Sequence, residues 1–195
     1  MNLTPEKIQS NFELFYKLSQ KDLDRSESYG FFLESLGERL ALCPMNCRTE
    51  QGWAYHGGLI EYALSVLNHL KKENDAHNLG LLTNEMITVS LFHSIGKVGD
   101  LEHELLLPET STWHQEKLGQ FFKFNDKIRK MTVEHRSLWL LNHLGIKITQ
   151  NEWLAILLSA GALSDESKFY HSSQPKLSVA LNNSIRLTAV LKDNK

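Results

Sequence analysis

An all-α fold follows from the periodicity of this chain: one compact multi-helix bundle over residues 1–195. Three observations carry that expectation. Apolar residues recur at the three- and four-residue spacing that lines one face of a helix. Helix start and stop signals bracket those runs. No segment alternates apolar and polar residues as a half-buried strand would. No internal repeat, low-complexity tract or linker divides the chain, and its apolar residues suffice for a sizeable core.

Pro5 suits a first helical turn, and Ile8, Phe12, Phe15 and Leu18 follow at helical spacing. A second helix starts near Ser26, turns Phe31, Phe32, Leu36 and Leu40 inward, and is ended by Pro44. A loop from about Cys43 to Trp53 leads to Gly57-Gly58. The third helix carries Leu59, Tyr62, Ala63, Val66, Leu67 and Leu70. Thr83 caps a fourth, which holds Ile87, Leu91 and Phe92 and ends at Gly96. From Lys97 to Trp113 helix signals are sparse, and a loop of that length beside a pocket is more often functional than idle. Thr132 opens a helix through Leu138, Leu141 and Leu144, stopped by Gly145. Thr149-x-x-Glu152 is a capping box before Trp153, Ile156 and Leu157. A last helix holds Leu177, Leu181, Ile185, Leu187 and Val190.

Composition removes several functional classes. The chain is 42% hydrophobic and 23% charged, ordinary values for a globular protein. A net charge of -2 gives no strong nucleic-acid signal, although local patches remain open. No apolar run approaches the roughly 18 residues that span a bilayer. The N-terminal MNLTPEKIQSNFELF lacks the pattern of a secretory signal, so a cytoplasmic location is expected. Cys43 and Cys47 sit in CPMNC. A zinc site would need two further ligands, of which His56 can supply one and no fourth is visible, so reduced thiols in a turn are the plainer reading. No Gly-rich phosphate loop and no Gly-x-Ser-x-Gly elbow is present.

The most informative stretch is His93-Ser94-Ile95-Gly96-Lys97, at the end of an apolar helix that runs into a Gly-Lys-x-Gly turn. A histidine followed by an aspartate at such a junction can hold a divalent cation. Here serine follows, and a protonated, uncharged hydroxyl does not replace a bridging carboxylate.

Together with HGGLIEYALSVLNHL, the segment LFHSIGKVGD resembles the histidine–aspartate (HD) domain superfamily of metal-dependent phosphohydrolases. TWHQEKLGQFFKFND, MTVEHRSLWLLNHLGIKI and NEWLAILL extend the similarity to a subgroup carried by large tailed bacteriophages. The resemblance covers about 40–192, with 1–39 as N-terminal helices. It implies a metal histidine at the position of Tyr62, a second at His93, an aspartate at Ser94, and a His-Asp-Gly run where Ser159-Ala160-Gly161 stands. His114 resembles a further family histidine. A terminal aspartate is expected within an Ala-Asp pair, and Asp193 sits in another register. Tyr62, Ser94, Ser159 and Ala160 are thus degenerate ligand positions, and His93 and His114 are remnants that do not by themselves make a catalytic metal site.

The expectation is a pseudoenzyme: an HD-like frame that has lost metal-dependent phosphohydrolysis and serves as a binding module. Its partner would be a nucleotide or a protein, a host factor in the host cytoplasm if the phage resemblance holds. Oligomeric state stays open, no membrane partner is expected, and no cofactor is called for. Ligand-binding candidates are Lys97, Trp113 and Arg136. Lys97 stands where the family places a lysine near substrate phosphate, Trp113 can flank a base, and Arg136 and His135 open a helix whose amides favour anions. Lys97 and His56 are also the candidates for residual catalysis. The plainer alternatives are a solvated loop lysine, a turn histidine and a lid tryptophan. The other aromatics, Tyr55, Phe121, Phe122, Phe124 and Trp139, read mostly as core. The alternative function is an altered phosphohydrolase acting on nucleotides. It would hold Mn, Fe, Mg or Zn through His56, His93 and His114 with Glu61, Asp100, Asp165 or Glu166.

Overall fold

The computed structural model describes residues 3–161, 165–170 and 172–194. Side chains of 165–167, 193 and 194 lie outside that description, which removes the Asp165, Glu166 and Asp193 carboxylates from the discussion below. The chain forms α1 (Pro5–Ser19), α2 (Ser26–Leu42), α3 (Gly58–His77) and α4 (Thr83–Phe92). Next come β1 (Leu106–Pro108), α5 (Thr112–Leu118) and β2 (Phe122–Phe124). The chain continues through α6 (Val133–His143), α7 (Gln150–Leu157), α8 (Asp165–Tyr170) and α9 (Lys176–Val190). The fold is all-α apart from β1 and β2, which pair antiparallel with Leu106 opposite Phe124. No helix among the described residues is long and apolar enough to cross a membrane.

Helix α3 is the axis of the bundle and packs against α9, α4, α1 and α2. Its apolar face buries Leu59, Ile60, Ala63, Val66, Leu67 and Leu70. Phe92, at the end of α4, is enclosed by three rings. Tyr29 stacks on it at 4.8 Å, while Phe15 and Phe32 meet it edge-on at 5.5 and 5.4 Å. The Tyr29 hydroxyl lies 2.8 Å from the Thr88 hydroxyl, so its polar end is satisfied inside the core. Arg25 bridges the two halves of the chain: its Nη1 donates to Glu152 at 2.9 Å, and its Nε lies 2.6 Å from Asp22.

Several start signals act as expected. Thr132 and Thr149 accept the amides of His135 and Glu152, and the Glu152 carboxylate accepts the Thr149 amide at 2.7 Å. Thr83, by contrast, is the first helical residue and not the cap: the Glu85 carboxylate takes the Leu82 amide at 3.4 Å. Phe31 is 56% exposed although expected inward, because adjacent residues lie about 100° apart on a helix and Phe32 takes the core. Leu187 and Val190 of α9 are likewise exposed. Helix α4 ends at Phe92, four residues before Gly96, and a 3-10 turn spans Ile95–Val98. The stretch from Lys97 to Trp113 is not all loop: it holds that turn and β1, and Trp113 lies on α5. Phe121, Phe124 and Trp139 reach solvent, whereas Phe122 anchors a small separate core with Leu105, Leu106 and Ile128.

Candidate functional site

The junction after α4 is fixed from below by α6. The Ser137 hydroxyl accepts the Gly96 amide at 2.9 Å and lies 2.8 Å from the His93 carbonyl. The chain passes so close here that a Cβ on Gly96 would press on Val133 O and come within 2.9 Å of the Ser137 amide. Glycine is therefore required by contact, and the sequence His93–Lys97 is held as a rigid corner. Gly99, at φ +110, turns the chain out of that corner against the His103 carbonyl, a conformation that side chains disfavour.

His93 is buried, with its Nδ1 3.1 Å from Val89 O and 3.0 Å from Ser90 O. The proton therefore sits on Nδ1. Nε2 is buried and has no hydrogen-bond partner among the described residues. Burial pushes the pKa of His93 down to about 4, against the pull of the Ser90 and Val89 carbonyls, so the ring is neutral. The Tyr62 ring on α3 lies 5.7 Å from it, and Trp53 meets Tyr62 at 5.2 Å. Burial raises the Tyr62 phenol above its usual range, so it too is neutral. A single imidazole nitrogen beside a neutral phenol, with serine next in sequence where a carboxylate would be needed, does not fit a divalent cation. Among the described residues no three His, Cys, Asp or Glu side chains gather to hold a metal.

The remaining candidate positions are engaged with other partners. His114, on α5, points at Glu109 with Nδ1 3.8 Å from the carboxylate. Ser159 returns its hydroxyl to Ile156 O at 2.8 Å, and Ala160 follows in a 3-10 turn. Glu61 accepts the Tyr55 hydroxyl at 2.6 Å. Asp100 accepts the amides of His103 and Glu102, bonds that hold its carboxyl below the usual value although burial works against them. Arg136 is buried, with its Nη2 donating to Arg129 O at 2.8 Å and its Nη1 3.4 Å from Gly96 O, so it braces the corner. His135 Nδ1 lies 2.9 Å from the Thr132 hydroxyl.

Lys97 and His56 do share a cavity. It measures about 150 Å³, and its wall includes Arg39, Cys43, His56, Lys97, Glu104 and Phe122. Burial lowers the Lys97 pKa, opposed by Cys47, Cys43 and Glu134 nearby. Arg39 was not singled out from the sequence. Its Nη2 donates to Leu101 O at 2.9 Å, while Nη1 is buried with no hydrogen-bond partner among the described residues. The His56 ring is exposed at the mouth, edge-on to Phe122 at 5.3 Å, with Nδ1 3.1 Å from Leu42 O. Cys43 and Cys47 are free thiols, and burial pushes Cys43 up to about 12, so it is no nucleophile at neutral pH. An open apolar groove between α1 and α2, lined by Ile8, Phe12 and Leu42, offers no comparable polar groups apart from Glu38 and Gln9. Comparisons with protein-family models, curated proteins and solved structures returned no match to this chain.

Proposed function

We propose that the chain is a degenerate HD-type frame that binds a phosphate-bearing ligand, a nucleotide, without hydrolysing it through a metal. One observation carries the reading: Arg39 and Lys97 present two cationic groups to one small cavity, and Arg39 Nη1 has a donor to spare. A buried guanidinium nitrogen without an acceptor is costly, and an oxyanion relieves it. About 150 Å³ accommodates a phosphoryl group and not a whole nucleotide, since pockets that engulf drug-sized ligands measure roughly 300 Å³ or more. The nucleoside would lie across the mouth, against His56 and Phe122. Glu104, on the same wall, disfavours a second negative charge nearby.

The supporting argument against metal hydrolysis is the donor chemistry around His93, described above. No relative bears on the family reading, which rests on the sequence resemblance and on the meeting of Tyr62 and His93.

Calorimetry with inorganic phosphate, pyrophosphate and a nucleoside triphosphate tests the reading. Binding weakened about tenfold or more by Lys97→Met and by Arg39→Met supports it, the loss expected for one charge-assisted hydrogen bond. Absence of heat with all three ligands, or equal affinity in both variants, overturns it. Recovery of a protein partner without any nucleotide binding favours the protein-binding version. The altered phosphohydrolase requires stoichiometric metal that His93→Ala removes, measured by elemental mass spectrometry.

A further inference from the structure

The segment from Lys117 to Met131 concentrates charge that the whole chain hides. It holds five cations, Lys117, Lys123, Lys127, Arg129 and Lys130, and one carboxylate, Asp126, in a protein of net charge -2. All five cations are exposed. Between and beside them stand aromatic rings in solvent: Phe121 and Phe124, which the sequence suggests as core, and Trp113, which it suggests as a ligand contact. Phe124 is 62% exposed and Trp113 59%, and Phe121 is exposed as well. Exposed rings cost free energy in water, so a run of them among cations calls for an occupant.

The backbone beneath this strip is held in place before any partner arrives. Lys123 lies opposite Leu107 in the hairpin, and its ammonium is 4.0 Å from the Glu109 carboxylate. Glu109 also faces His114, whose ring meets Trp113 at 5.3 Å, so Trp113, His114 and Lys123 are joined through one carboxylate. Asn125 accepts the Lys127 amide at 3.0 Å and donates to Glu104 O at 2.9 Å. The Arg129 carbonyl is held by buried Arg136. Glu116 and Glu134 bound the strip at either end.

We infer that this strip binds single-stranded nucleic acid. Cations at successive positions match a phosphate backbone, and aromatic faces stack on unpaired bases of any identity. Duplex reading is disfavoured because the helix that leads into the strip, α5, has seven residues and cannot lie along a groove. An anionic membrane surface would attract the same cations, but it favours a continuous amphipathic helix, and here the rings sit on a hairpin and its flanking loop. The inference uses residues outside the Arg39–Lys97 cavity and does not depend on the function proposed for it.

The test is fluorescence anisotropy of the full chain with a labelled single-stranded oligonucleotide of about 20 residues, longer than one strip can cover. Five phosphate contacts predict a salt slope near -3.5, an affinity loss of about 100-fold from about 50 to about 200 mM salt. Reversing Lys127, Arg129 and Lys130 together to Glu should flatten that dependence by more than half. Phe124→Ala should weaken binding about fivefold or more with little change in slope. Circular dichroism checks that both variants remain folded, as surface changes should. No binding at low salt, binding unchanged in both folded variants, or capture by anionic vesicles but not by the oligonucleotide overturns the inference.

Discussion

The helical body and the hairpin excursion of residues 99–131 bury apolar surface on different scales. In the body, α1, α2, α3, α4, α6, α7 and α9 share one continuous core, in which Phe92 alone touches three rings from two other helices. The excursion rests on Leu105, Leu106, Phe122 and Ile128, with Cys47 packed alongside. The body therefore fixes the corner at His93–Lys97, while the excursion carries exposed cations and rings that a partner can reach. A rigid frame with function on its connecting segments is a common division of labour.

The helical body is most sensitive at Phe92. Phe92→Ala should cost about 4 kcal/mol, read by urea denaturation, because the surrounding rings cannot all collapse into the space. A loss below about 1 kcal/mol would show that the ring cluster is not what joins α1, α2 and α4. The next effect is a pH dependence. His93 has a folded pKa of about 4 and an ordinary unfolded value of about 6.5, so the unfolded chain takes up a proton in a range where the folded chain does not. Its contribution is complete above pH about 6.5 and is lost as pH falls toward about 4, up to roughly 3 kcal/mol. His93→Asn should remove that part of the slope in a stability–pH profile, and an unchanged profile would place the ring in water.

Gly96→Ala comes third. The added methyl meets the α6 backbone, and overpacking of this kind costs about 2 kcal/mol. It should also accelerate hydrogen exchange at the Gly96 position amide, which Ser137 now protects. The smallest global effect belongs to the excursion. Phe122→Ala should shift the main unfolding transition by under about 1 kcal/mol, yet speed exchange of the β2 amides markedly, because a small satellite core opens without the body. Equal shifts for Phe92→Ala and Phe122→Ala would show that the two regions unfold as one.

The sequence speaks more clearly about the body than about the excursion, for physical reasons. Helices α3 and α9 are long enough to repeat their apolar face several times, so period alone locates them. Strands of three residues cannot display an alternation, and α5 is shorter than a helix that stands on its own propensity. Their existence depends on pairing with each other and on Cys47 and Gly119, contacts that local pattern does not contain. The same limit applies to the candidate site. Tyr62 and His93 were named from motif positions and do meet. Arg39 was missed because nothing near it in sequence marks it. Its guanidinium is anchored by the Leu101 carbonyl, 62 residues away.

The ion pair between Arg25 and Glu152 has a consequence for how the chain comes off the ribosome. Its partners are 127 residues apart, the Glu152 side chain is fully enclosed, and Asp22 is the only one of the two carboxylates close to Arg25 in sequence. At about 5–20 residues per second, roughly 6–25 s of translation separate the two halves of this contact. During that interval Asp22, three residues from Arg25, is the carboxylate within reach of the guanidinium, and the second half of the contact waits for Glu152. The corner between α1 and α2 thus gains its enclosed carboxylate only once α7 has been made and packed.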